Sequence, residues 1–162
     1  MVLNGLLLAY ALVLSYIESL IPFAAGIPGI KLGLANLAVV LCLYKKGRRD
    51  ALLLNVCRIL LAGFLFGNLY SILYSLAGGL LSFAVMCITQ KGKSFGILGV
   101  SVLGGVFHNL GQIGIAVFVT RTPGILYYIP WLVIAGVLTG AGIGILAQIL
   151  LPRLDGKERI KK

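Results

Sequence analysis

Residues 51–90 read ALLLNVCRILLAGFLFGNLYSILYSLAGGLLSFAVMCITQ, and the way this stretch divides decides the fold. As one α-helix rising ~1.5 Å per residue it would be about 60 Å long, twice the hydrocarbon thickness of a bilayer. Gly67-Asn68 interrupts the apolar run near its middle, and a glycine followed by a helix-capping residue is a turn signal. The stretch therefore reads as two spans, 51–67 and 69–89, the first with Arg58 in its middle.

The flanking charges support this division. Lys45, Lys46, Arg48 and Arg49 precede the stretch and Lys91 and Lys93 follow it, while Arg153, Lys157, Arg159, Lys161 and Lys162 close the chain. Short cytoplasmic loops collect Lys and Arg, so two spans between the first two runs keep both runs on one side, whereas a single span would separate them. Working outward, further apolar segments lie at about 3–22, 28–44, 95–120 and 124–151. The expectation is an all-α integral membrane domain over residues 1–152, a six-helix bundle with both termini cytoplasmic, followed by a basic cytoplasmic tail at 153–162. Lys31 and Arg121 then fall on the outer side, and Tyr127, Tyr128 and Trp131 sit at the outer end of the sixth span, where an aromatic belt belongs. The start, MVLNG, has no basic n-region, so the first span is expected to be retained rather than cleaved.

Composition agrees. The 162 residues are 60% hydrophobic and 11% charged, with a mean hydropathy of +1.07. Soluble domains are roughly 45–50% apolar and about 25% charged, so a soluble globule, a disordered chain and a fibre are excluded. The net charge of +10 resides mostly in the three basic runs and sets topology; no nucleic-acid partner is expected. Cys42, Cys57 and Cys87 lie in or beside apolar segments, are odd in number and form no CxxC pair, which indicates neither disulfides nor zinc.

Polar groups within hydrocarbon are costly and face one another or a wet cavity. They are Glu18 in span one, Lys31 and Asn36 in span two, Asn55 and Arg58 in span three, and His108, Asn109 and Gln112 in span five. Helical rise brings Glu18, Arg58 and His108 toward one outer-half level with Lys31 near the mouth, and snorkelling makes a Glu18–Arg58 pair feasible. Two accounts stand: mutual neutralisation as structural glue between helices, or a binding cavity in which these groups orient a ligand and Tyr127 and Trp131 supply aromatic walls. Signals for catalysis are absent. There is no HExxH, GxSxG or DDxxD, and Gly92-Lys93-Ser94 leaves an apolar helix, unlike a phosphate-binding loop. Glu18, Asp50, Asp155 and Glu158 are the whole acid complement, too few and too scattered to hold magnesium and a diphosphate. No metal or cofactor is expected.

Small residues recur at helical spacing: Gly136, Gly140 and Gly144; Gly63 and Gly67; Gly5 and Ala9; and Ala11, Ser15 and Ser19. Such rows let helix backbones approach closely in lipid, within this chain or against another membrane subunit.

Four motifs in order, Ile17-Glu18-Ser19-Leu20-Ile21-Pro22, Pro28-Gly29-Ile30-Lys31-Leu32-Gly33-Leu34-Ala35-Asn36, Asn55-Val56-Cys57-Arg58 and Gly105-Val106-Phe107-His108-Asn109-Leu110-Gly111-Gln112, resemble the Gx transporter family, commonly labelled heptaprenyl diphosphate synthase component I. That family is grouped with the substrate-binding S components of energy-coupling factor transporters. The resemblance implies a six-helix bundle in a bacterial inner membrane, an outer-half pocket for a small molecule such as a vitamin, flavin or quinone precursor, and docking on a transmembrane T component driven by ATPase subunits. S components often dock through an Ala-x-x-x-Ala row on helix 1, whose nearest match here begins the Ala11, Ser15 and Ser19 row. The rival expectation is a non-catalytic membrane subunit associated with a soluble prenyl diphosphate synthase.

Overall fold

The computed structural model describes residues 2–20, 33–92 and 95–154, and the fold is all-α. Six helices follow one another: α1 (Val2–Leu20), α2 (Asn36–Lys45), α3 (Arg48–Phe66), α4 (Leu69–Lys91), α5 (Ile97–Thr120) and, after a 3-10 turn at Pro123–Tyr128, α6 (Ile129–Leu154). Four segments, namely α1, α4, α5 and the continuous Pro123–Leu154, are long and apolar enough to cross a membrane. Arg48, Arg49, Asp50 and Arg58 make α3 the more polar of the long helices.

The turns follow from local chemistry. Gly67 ends α3, and the Asn68 side-chain oxygen accepts the Ser71 N–H at 2.8 Å, which satisfies one of the amides left over at the start of α4. The turn between α2 and α3 needs Gly47, whose φ of +98° is a conformation that side chains with a Cβ rarely take. Lys45 in the last turn of α2 and Asp50 in the first turn of α3 each meet the favourable end of a helix dipole.

Packing contacts close a ring, α2–α3–α4–α5–α6 and back to α2, with α1 lying across α2 and α3. Every residue of α2 from Asn36 to Leu43 is buried, so this helix, hydrophobic all round, is the core of the protein. Within the expected span at 28–44, the described helix takes up only the later part. The helix begins only at Asn36, preceded by a turn at Gly33–Ala35 with Gly33 at φ +69°. Ten residues rise about 15 Å, half of a hydrocarbon core. Residues 28–32, including Lys31, lie outside the described residues, as do Lys93 and the tail from Asp155 onward.

The glycine row of α6 is used inside this chain. Gly136, Gly140 and Gly144 lie directly against the backbone of α5 between Leu98 and Val106, so the row brings two helices of one bundle together and is not open to a partner.

Candidate functional site

The bundle surrounds a partly open cavity of about 300 Å³ to which every helix contributes. From α1 come Ser15, Glu18 and Ser19; from α2 and its preceding turn, Asn36 and Gly33; from α3, Arg58, Ile59, Ala62, Gly63 and Phe66, with Gly67 of the following turn. Ser71 and Ser75 of α4, Gly105 and His108 of α5, and Thr139 and Ile143 of α6 complete the wall. Glycines and small hydroxyl residues predominate because the helices must lie close enough to enclose the space yet leave it unfilled.

Glu18 sits near the end of α1, and its Oε1 accepts the backbone N–H groups of Gly33 and Leu34, the latter at 3.2 Å. It thereby fastens the end of α1 to the turn that starts α2. Arg58 is 8% exposed, and its Nε and Nη2 donate to Asn55 Oδ1 at 3.2 and 2.9 Å. Asn55 is held in turn by a 3.0 Å bond from its Nδ2 to the Gly79 carbonyl of α4. Close packing makes that bond possible, since Ile59 and Asn55 occupy the space a Cβ on Gly79 would need. The Arg58 and Glu18 charges act on one another electrostatically, yet among the described residues no hydrogen bond joins them.

Of the residues singled out in the sequence, the structure brings Glu18, Asn36, Arg58 and His108 together around the cavity, with Asn55 directly behind Arg58. Asn109 and Gln112 face elsewhere. Asn109 donates to the Leu132 carbonyl at 2.8 Å, and both residues line a second, smaller cavity of about 120 Å³ with Tyr74, Ile113 and Thr120. Gln112 Oε1 is buried there without a hydrogen-bond partner among the described residues. The partition between the two spaces is the crossing of α4 and α5 at Gly78, against which the His108 carbonyl and the Gln112 side chain both pack. Tyr127 and Trp131 are 86% and 63% exposed and line neither cavity, so their aromatic surfaces face outward.

The row Ala11, Ser15 and Ser19 grades outward along α1: Ala11 is buried, Ser15 half-buried and Ser19 exposed. Ala11 has no exposed surface, and Ser15 and Ser19 belong to the cavity wall. Ser15, three residues before Glu18, lies about 60° from it around the helix and shares its inward direction, whereas Ser19 lies about 100° away.

Residues that sequence reasoning missed are Ser71, Ser75, Thr139 and Phe66. Ser71 and Ser75 were marked by their spacing of four in an otherwise apolar helix, which places both on one face. Phe66 carried no such mark. Its ring packs on Tyr16 of α1 with centroids 5.1 Å apart and planes at 51°, a favourable tilted arrangement at the edge of the cavity.

No curated protein and no solved structure matches the chain. The family described as heptaprenyl diphosphate synthase component I matches it over residues 7–150, from the first turns of α1 to the last turn of α6. A match over nearly the whole bundle, cavity included, means that the chain belongs to the heptaprenyl diphosphate synthase component I family.

Proposed function

We propose that this chain is a non-catalytic membrane subunit that works beside a heptaprenyl diphosphate synthase and binds a small organic molecule in the cavity between its helices. The observation that carries the binding half of this reading is the partly open space of about 300 Å³ that Glu18, Arg58 and His108 line together. Three costly polar groups brought to one cavity within an apolar bundle are better accounted for by a ligand than by lipid-facing structure. The family description supports the partnership. The acid inventory supports the division of labour: Glu18 is engaged with the start of α2 and Asp50 lies in the first turn of α3, about two turns before Arg58. Prenyl transfer needs several carboxylates around magnesium and a diphosphate, so this chain would supply binding and membrane attachment while the synthase supplies the chemistry.

In this reading the protein is a multi-pass protein of a bacterial cell membrane with six spans, both termini cytoplasmic and the basic turn at Lys45–Arg49 facing the synthase. Lys31 would guard the mouth, and Tyr127 and Trp131 would anchor the outer end of α6 in the interface. The second reading is the substrate-binding component of an ATP-driven uptake system, and the cavity favours it equally. Affinity purification of the tagged full chain from its native membranes in mild detergent separates the two. Recovery of a prenyl diphosphate synthase supports the first; recovery of a transmembrane T component with ATPases, and no synthase, replaces it with the second.

A further inference from the structure

We propose that the ligand of the main cavity is a small zwitterion carrying a protonated primary amine and a carboxylate, with its carboxylate on Arg58 and its ammonium on Glu18. This rests on the binding reading above and names the chemistry of that same site.

The argument begins with the charges. Arg58 and Glu18 are the fixed charges among the described lining residues, and among the described residues no hydrogen bond joins them. Among the described residues, the acceptor of Arg58, 8% exposed, is a neutral amide oxygen, reached through Nε and Nη2. A guanidinium so placed favours a carboxylate, because charge-assisted bonds are roughly twice as strong as neutral ones and a planar fork matches a carboxylate's two oxygens. Among the described lining residues, these two fixed side-chain charges sum to zero. A ligand with one net charge would therefore leave an uncompensated charge in a low-dielectric interior, whereas a molecule that is neutral overall but charged at both ends compensates each side chain separately.

The hydroxyls select the amine. Ser19 Oγ donates to the Tyr16 carbonyl at 2.6 Å and Thr139 Oγ donates to the Ala135 carbonyl at 2.9 Å. Their protons are committed, so both present lone pairs, which suit the N–H groups of a primary ammonium. A quaternary ammonium would instead need several aromatic faces, and Phe66 is the aromatic ring among the described lining residues besides His108. Ile59, Ala62 and Ile143 offer apolar wall for an aliphatic or aromatic remainder. A space of about 300 Å³ is at the small end of ligand pockets and suits a molecule of about amino-acid size.

The test dialyses the purified full chain in detergent against a 13C-labelled mixture of the standard L-amino acids, with retained species read by mass spectrometry. The expected result is saturable retention of one or a few members, with the carboxamide and the deaminated acid of the retained compound each bound at least about tenfold more weakly. Arg58→Gln should erase the preference for acid over amide, and Glu18→Gln the preference for amine over its absence; a misfolded variant would lose all binding instead of one preference. Equal binding of the amide, or no retention from the mixture, overturns the zwitterion. In parallel, the chain is heat-denatured to release anything copurified. A non-zwitterionic molecule released from wild type and missing from Ala62→Leu, in which the cavity is filled, overturns the zwitterion and leaves the binding reading intact. Neither retention nor release overturns both.

Discussion

Gly105 and Gly136 meet so closely that a Cβ on Gly105 would lie 2.4 Å from the Gly136 carbonyl oxygen, and one on Gly136 would lie 2.7 Å from Val106 Cα. These are backbone atoms, which no side-chain rotation can move aside. Gly105→Ala and Gly136→Ala should each destabilise the bundle by about 1–3 kcal/mol, the usual cost of overpacking. Gly142, with nothing within 4 Å of its would-be Cβ, serves as the control. Thermal unfolding in detergent should show both variants melting below wild type while Gly142→Ala does not.

Asn55 joins two helices through one amide, accepting from Arg58 and donating to Gly79. Asn55→Leu removes both bonds and strands the guanidinium, at a cost of about 1–3 kcal/mol for the unsatisfied partner. If that variant melts at the wild-type temperature, Arg58 finds another acceptor without difficulty and its tie to Asn55 is dispensable.

Glu18 has a structural duty as well as its place in the cavity, and two substitutions separate these. Glu18→Gln keeps an oxygen for the Gly33 and Leu34 N–H groups; Glu18→Ala keeps none. The alanine variant should lose about 1–2 kcal/mol more stability than the glutamine variant, measured by melting in detergent. Equal losses would place the stabilising effect in the charge rather than in the hydrogen bonds.

Ala11→Leu should lower stability by about 1–3 kcal/mol, because Ala11 is fully enclosed and an added isobutyl group has no space. Ala9→Leu, on the exposed side of α1, should not. An unchanged melting temperature for Ala11→Leu would mean that α1 can lift away from α2 and α3.

Topology can be checked with single cysteines on a background lacking Cys42, Cys57 and Cys87. Cysteine at position 46 should label only from the cytoplasm and cysteine at position 121 only from outside. Labelling of both from one side would remove the six-span arrangement.

Much of the fold was legible because it rests on local signals. Gly67-Asn68 marks a turn through backbone freedom and capping chemistry, both properties of the residues themselves, and the structure places that turn between α3 and α4. Hydropathy, by contrast, does not distinguish an apolar segment that faces lipid from one that faces protein. The stretch around Asn36–Leu43 therefore read as an ordinary span, although it is the core around which other helices pack. The site was half legible for a similar reason. Spacing identifies residues that share a helix face, but the rotation of that face within the bundle depends on contacts distant in sequence. His108 and Gln112, four residues apart, thus fall on either side of the Gly78 crossing.

The ring has a bearing on how the protein is made. Closure depends on α6 reaching back to α2, and Thr139 and Ile143 of that last helix form part of the cavity wall. During synthesis the earlier helices enter the membrane with Arg58 and Glu18 already present but with one side of their chamber missing. The cavity is thus the last feature of the bundle to be completed, and a nascent chain halted before α6 leaves its costliest charges open to lipid.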